Sequence, residues 1–170
     1  MSKMKRIVIL VTLLCMVASS AIASKRAITF VSLSSDIDTK EAGPLWNDMV
    51  TSDVNLKLAS IGYKSVSANK CWQDFMEKHK VTDESLEAEW MKYLKERSDI
   101  AVNIYVDRYA VNKDKTVDCR VSLMVVPVDA PDKVLVHTKV GKEKVKGMSR
   151  MDLLKKLIAE EIHSKISVLQ

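Results

Sequence analysis

The stretch IAVNIYVDRYAVNKDKTVDCRVSLMVVPVDAPDKVLVHTKV, residues 100–140, decides the fold. Apolar and polar residues alternate across 100–109 and again across 116–128, which is typical of strands with one buried face. Turn-forming residues separate the apolar segments, and a third segment follows at 134–140. Three consecutive strands with short connections predict an antiparallel meander.

A strand and a helix are predicted ahead of the meander. Residues 27–33 are apolar and rich in strand-forming side chains, and apolar residues then recur at helical spacing over 44–61. Pro44 suits the first position of that helix, and Gly62 suits the position just past its end. A short second strand is predicted to follow, ending at Val66.

Further helices are predicted on both sides of the meander. Helical spacing indicates one helix over 70–80 and another that Thr82 caps. Behind the meander, Ser149 and Asp152 form a capping-box-like start for an amphipathic carboxy-terminal helix. The tryptophans lie on helical stripes, which predicts core positions for all three: Trp46, Trp72 and Trp90.

The order of these elements predicts an α/β (α+β) fold. Strand, helix, strand, helices, three strands and a final helix give a mixed five-stranded sheet with a carboxy-terminal antiparallel meander. Helices are expected on at least one face of that sheet. Residues 24–170 have the length of one domain, and we expect a single α/β domain there.

Residues 1–23 have the pattern of an export signal. Lys3, Lys5 and Arg6 precede an apolar run over 7–17, and small residues at Ala21 and Ala23 suit a signal peptidase. We expect cleavage after residue 23 and a periplasmic or secreted product. The alternative is an uncleaved segment that anchors the protein in the membrane. A weak surface contact, described below for a basic loop, is the other membrane contact that we consider.

The charge balance gives no reason to expect a nucleic-acid partner. Three of the 27 basic residues and none of the 22 acidic residues lie in residues 1–23, so the remaining chain is nearly neutral despite the formal charge of +5. Two cysteines, Cys71 and Cys119, remain beyond the signal. In an oxidising compartment they form either a disulfide or two buried thiols that never meet.

The sequence shows no arrangement that predicts catalysis, a metal or a cofactor. His79, His137 and His163 are far apart, so no metal-binding spacing is present. No Gly-x-Ser-x-Gly elbow occurs, and four glycines provide no phosphate-binding loop. We therefore expect no metal and no cofactor, and a function other than catalysis.

Two surfaces are candidates for binding. One is the polar face of the meander, which either docks a partner or is a solvated sheet face with cross-strand ion pairs. The residues of this face are Asn103, Tyr105, Asp107, Asp118, Arg120, Ser122, His137 and Lys139. The other is a predicted basic loop that begins at Lys139 and includes Lys142, Lys144 and Lys146. That loop either makes weak contacts with anionic lipid or wall polymers or is mobile and solvated.

The element order resembles that of the TolB amino-terminal-like domains, which the penicillin-binding-protein activator lipoproteins and the curli secretion lipoprotein share. The matching features are the first strand, the helix leading to the second strand, the segment RSDIAVNIYV at 97–106 and the hairpin VSLMVVPVDAPDKVLVHTKV at 121–140. The resemblance implies an exported envelope accessory or assembly factor that binds an envelope protein. The alternatives are a small secreted hydrolase with a site not visible in the sequence, and a subunit that self-assembles through edge strands.

Overall fold

The computed structural model describes residues 24–79 and 84–170, with the backbone alone over 39–47. The predicted export signal and the predicted cap at Thr82 lie outside the described residues. The described chain forms five strands and four helices, in this order: β1 Arg26–Leu33, α1 Thr39–Ser60, β2 Lys64–Val66, α2 Ala68–Lys78, α3 Leu86–Lys95, β3 Ile100–Val111, β4 Val117–Pro127, β5 Val136–Val145 and α4. Helix α4 comprises Arg150–Leu157 and His163–Ile166, joined by the π-helical turn Ile158–Ile162.

The strands form one mixed sheet in the order β2-β1-β3-β4-β5. Strand β1 runs parallel to both of its neighbours, whereas β3, β4 and β5 are antiparallel. This arrangement confirms the predicted five-stranded sheet and its carboxy-terminal meander. Ser149 caps α4 as predicted, because its Oγ accepts from the Asp152 N–H at 3.1 Å and donates to the Asp152 carboxylate at 2.6 Å.

The two faces of the sheet are covered unequally. Helices α1 and α4 pack on one face, where Val54, Leu58, Leu154 and Ile158 are fully buried against the strands. Helices α2 and α3 pack on the other face, but only over one end of it. The members of that smaller core are Ile28, Cys71, Phe75, Tyr93, Leu94, Ala101, Val126 and Val128.

The cysteines lie in these two different cores. Cys119 belongs to the core under α1 and α4, and Cys71 belongs to the smaller core under α2 and α3. The sheet therefore separates them, and both are free buried thiols rather than a disulfide.

Strand β5 is longer than predicted, which removes the predicted basic loop. The strand continues to Val145, so Lys142 and Lys144 are strand residues and Lys146 follows directly. Gly141 lies inside the strand, at a position where a Cβ atom would be only 3.0 Å from the Cys119 carbonyl oxygen. Close approach of the β4 and β5 backbones is the reason for this glycine.

Two other predictions on the helices are wrong. Helix α1 begins at Thr39 rather than at Pro44. Trp72 is 42% exposed rather than a core residue, because the buried positions of α2 are Cys71 and Phe75. Trp90 is partly buried against the smaller core. Trp46 lies where only the backbone is described.

Candidate binding surface

The part of the second sheet face that α2 and α3 leave uncovered is the candidate binding surface. We call it the open face, and its members lie on β3, β4 and β5: Asn103, Tyr105, Arg120, Ser122, Met124, His137 and Lys139. The strand register sets two rows across it. Asn103, Met124 and His137 form one row, and Tyr105, Ser122 and Lys139 form the next.

The open face combines polar groups with accessible apolar surface. Tyr105 and Met124 are each 40% exposed, on neighbouring strands. Aromatic residues and methionine are enriched at protein interfaces because they bury a large area with few polar atoms to desolvate. Met124 was not among the predicted site residues, because only the polar members of that face were selected, although alternation places Met124 on the same face as Arg120 and Ser122.

Asp107 borders the open face at a β-bulge. The register of β3 against β4 shifts between Val106 and Arg108, so Asp107 has no direct partner on β4. Its Oδ2 lies 2.5 Å from Lys139 Nζ on β5, and its buried Oδ1 has no hydrogen-bond partner among the described residues. The ion pair therefore fixes the ammonium group of Lys139 over the middle of the meander.

Arg120 is held by a residue that the sequence did not indicate. Its Nη2 lies 2.6 Å from Glu143 Oε1 on the edge strand β5. Both side chains are partly exposed, so the pair contributes little to stability. It does set the direction of the guanidinium group at one end of the open face.

Asp118 is not accessible from the open face. Its side chain is 5% exposed and accepts two hydrogen bonds from Arg108, at 2.9 and 3.0 Å, and one from the Asn112 amide at 2.9 Å. The backbone N–H of Lys144 donates a fourth bond at 2.7 Å. The Lys144 N–H, then the Arg108 and Asn112 donors, lower the pKa of Asp118 to about 2. Asp118 therefore holds the end of the β3–β4 hairpin against β5.

The predicted basic residues do not form one surface. Lys142 lies opposite Cys119 in the register, on the face that α4 covers. Lys144 has a φ of 53° and directs its N–H to Asp118. These lysines lie along an edge strand, where charged side chains discourage pairing with another chain.

An apolar cleft of about 350 Å³ adjoins the open face. It lies between α3 and the sheet, and Asn103 belongs to both the cleft and the open face. Its other members include Phe30, Trp90, Met91, Leu94 and Val126. The lining residues come from β1, α3, β3, β4 and the loop after β4, so no local sequence pattern indicated the cleft.

The hydrolase alternative required a histidine joined to a carboxylate. A surface depression of about 210 Å³ does bring His79 near Glu89 and Glu96. The His79 ring, however, stacks on Phe75 at 4.8 Å between centroids, and no hydrogen bond joins it to a carboxylate in the described part of the chain. Across the same residues, no three His, Cys, Asp or Glu side chains cluster as metal ligands would.

Comparison with known proteins identifies the fold. No protein-family model matches the chain, and no curated protein does. The fold is similar to that of lipoprotein GNA1162 from Neisseria meningitidis, with a TM-score of 0.53 and 14% identity over 83% of this chain and 95% of that chain.

Two further solved structures share the fold. PelC from Paraburkholderia phytofirmans, solved as a dodecamer, has a TM-score of 0.50 and 12% identity over 82% of this chain and 86% of that chain. The hypothetical protein CT253 from Chlamydia trachomatis has a TM-score of 0.50 and 10% identity over 86% and 99% of the two chains. The structural neighbours are thus bacterial proteins, a lipoprotein among them, with an α/β fold. Over residues 24–79 and 84–170, no helix has the length and apolar composition needed to cross a membrane.

Proposed function

We propose that this protein is an exported envelope accessory or assembly factor that acts by binding an envelope protein, not by catalysis. The observation that carries the proposal is the open face. It presents Tyr105 and Met124 to solvent beside an apolar cleft, where no helix of the described chain covers the sheet. A partner that inserts one apolar side chain into the cleft and packs on these two residues would bury the kind of central anchor that dominates interface energies.

The charges around the anchor suit a protein partner. Asp107 is paired with Lys139, and Arg120 is paired with Glu143, so the face offers both signs in fixed directions. Paired charges at the rim favour correct orientation over raw affinity. A partner with polar groups of both signs around an apolar centre would be complementary to this surface.

Export and family membership are parts of the same proposal. The predicted signal at 1–23 and the fold likeness to a bacterial lipoprotein support export to the envelope. The element order supports a place among the TolB amino-terminal-like domains. These are proposals because a shared fold alone does not determine what a protein binds.

A photocrosslinking amino acid at position 124 tests the proposal in the native cell envelope. We expect the probe in place of Met124 to capture one specific envelope protein. The matched control carries the same probe in place of Leu56, which is 67% exposed on α1 and away from the open face. Equal capture from both positions, capture of a second copy of this chain, or no protein capture would contradict the proposal.

A double substitution then tests the anchor itself. Tyr105→Ser with Met124→Ser removes accessible apolar surface, so we expect the protein to stay folded while the partner is lost. Val168→Ser removes an exposed apolar side chain outside the open face and should retain the partner. Retention of the partner by the double variant would show that the open face is not the docking surface.

A further inference from the structure

A second, polar cleft of about 370 Å³ lies at the edge of β1. It exists because β2 pairs with β1 only as far as Val66, opposite Ile28, and the chain then enters α2 at Ser67. From Thr29 onward, no strand in the described chain pairs with this edge of β1. The gap is bounded by α1 on one side and by the first turn of α2 on the other.

The polar side chains that line the cleft share one property, which is that they carry hydroxyl or carboxamide groups. They are Thr29, Thr51, Ser52, Asn55, Ser67 and Asn69. Such groups both donate and accept hydrogen bonds. Asp48 at the exposed rim is the one charged residue among the described lining residues, and none of them is basic.

The side-chain amide of Asn55 is held in a fixed orientation before any ligand binds. Thr29 is almost fully buried, and its Oγ1 donates to Asn55 Oδ1 at 2.9 Å. The carboxamide oxygen is thereby occupied, while the two N–H bonds of Asn55 have no partner among the described residues. A donor that is held in a fixed direction in a partly buried cleft is suited to a ligand that brings its own acceptor, because little side-chain entropy is lost when the bond forms.

Phe30, Val31 and Ala68 form the apolar part of the lining, and Phe30 is the largest of them. A ligand that fits must therefore present several neighbouring groups that donate and accept, together with some C–H surface. An anion would meet Asp48 without a cation among the described lining residues, and a polycation would meet a single carboxylate. The volume lies at the lower end of the range for small-molecule pockets, about 300–1,000 Å³.

We propose that this cleft binds an uncharged saccharide of one or two rings. The amide of Asn55 donates to a ring hydroxyl, and the hydroxyl and carboxamide groups of α1 and α2 bond its neighbours. Phe30 packs against the C–H face of the ring. This proposal does not rest on the proposed partner of the open face, since the hydrogen-bonding groups of the polar cleft lie on β1, on α1 and at the start of α2, whereas the open face lies on β3, β4 and β5.

Amide NMR spectra of the purified ¹⁵N-labelled protein test it directly. The probes are N-acetylglucosamine, maltose and cellobiose, with inorganic phosphate and spermidine as charged comparisons. We expect at least one saccharide, and neither charged probe, to shift the resonances of Thr29, Asn55 and Asn69. Shifts by phosphate or spermidine in place of the saccharides, shifts that map elsewhere, or no shifts at all would overturn the proposal.

A matched pair of variants tests the role of the Asn55 amide. Asn55→Asp keeps an oxygen for Thr29 but removes both N–H donors, so saccharide affinity should fall about tenfold, as for the loss of one hydrogen bond. Leu56→Asp adds the same charge at the next, exposed position and should bind as the unchanged protein does. Thermal unfolding of both variants checks that each is folded. Unchanged affinity in folded Asn55→Asp would refute the assigned donor.

Discussion

Replacing Phe75 with alanine tests how α2 and α3 are held on the sheet. Phe75 has 0% exposure and lies at the centre of an aromatic cluster. Its ring centroid is 4.8 Å from that of His79, 5.2 Å from Trp90, 5.3 Å from Tyr93 and 5.8 Å from Trp72. These contacts join the two helices to each other, and α3 in turn forms one wall of the apolar cleft.

The expected cost follows from the burial of the ring. Truncating a fully buried phenylalanine to alanine lowers the free energy of unfolding by about 3–5 kcal/mol, part of it from the cavity left behind. Trp72 remains 42% exposed in the same cluster. Trp72→Ala should therefore cost less, roughly 1.5–2.5 kcal/mol, because much of its area is already in water.

Urea unfolding followed by far-ultraviolet circular dichroism measures both losses. Leu154→Ala is the control, since Leu154 has 0% exposure in the larger core on the other face; it should cost about 2–5 kcal/mol. Hydrogen exchange should show that Phe75→Ala speeds exchange in α2 and α3 more than in α4, with the reverse for Leu154→Ala. A loss below about 2 kcal/mol for Phe75→Ala, or one no larger than that for Trp72→Ala, would refute the assigned packing.

Three other predictions concern named hydrogen bonds and thiols. The pKa of Asp118 is about 2 in the folded protein and 3.8 in an ordinary carboxyl, so the stability that it contributes is complete above about pH 5 and is lost as the pH falls from about 5 to 1. Acid unfolding of Asp118→Asn should lack this pH-dependent loss of stability. Burial raises the pKa of the Cys119 thiol to about 12 and also raises that of Cys71, so Ellman's reagent at pH 8 should modify neither until urea unfolds the chain. Ser149→Ala should lower the free energy of unfolding by about 1 kcal/mol through loss of the α4 cap. Ser149→Thr, which keeps a hydroxyl that can both accept from the Asp152 N–H and donate to its carboxylate, should retain most of that stability in thermal melts.

Local patterns were sufficient for the parts of the fold that depend on neighbouring residues. Strict alternation over 100–109 and 116–128 predicted β3 and β4 because a period of two places every second side chain on one face. The spacing of Ser149 and Asp152 predicted the start of α4 for a similar reason, since a cap involves residues within one turn. Such contacts are encoded within a few positions of each other.

The sequence-based predictions were wrong where the position of a side chain depends on a strand that is distant in the sequence. Simple alternation placed Asp118 on the accessible polar face, but the register of β4 against β5 shifts between Val117 and Cys119. This second bulge lets the Lys144 N–H reach the Asp118 carboxylate. The predicted third strand likewise ended at residue 140, whereas β5 continues through Gly141 to Val145, where β4 approaches closely. A bulge is not visible in alternation alone, since it depends on the partner strand.

The clefts were beyond sequence reasoning for the same physical reason. Phe30 lines both of them, although its partners come from α1 and α2 on one side and from α3, β3 and β4 on the other. Each cleft is a place where an element stops short: β2 ends at Val66, and α2 and α3 cover only one end of their sheet face. A hydrophobic pattern predicts which residues are buried, whereas a binding site is a concave surface that no element of the protein fills. The open face and the polar cleft therefore exist because β2, α2 and α3 are short. How far each of these elements extends along the sheet depends on its packing partners, and local sequence does not determine it.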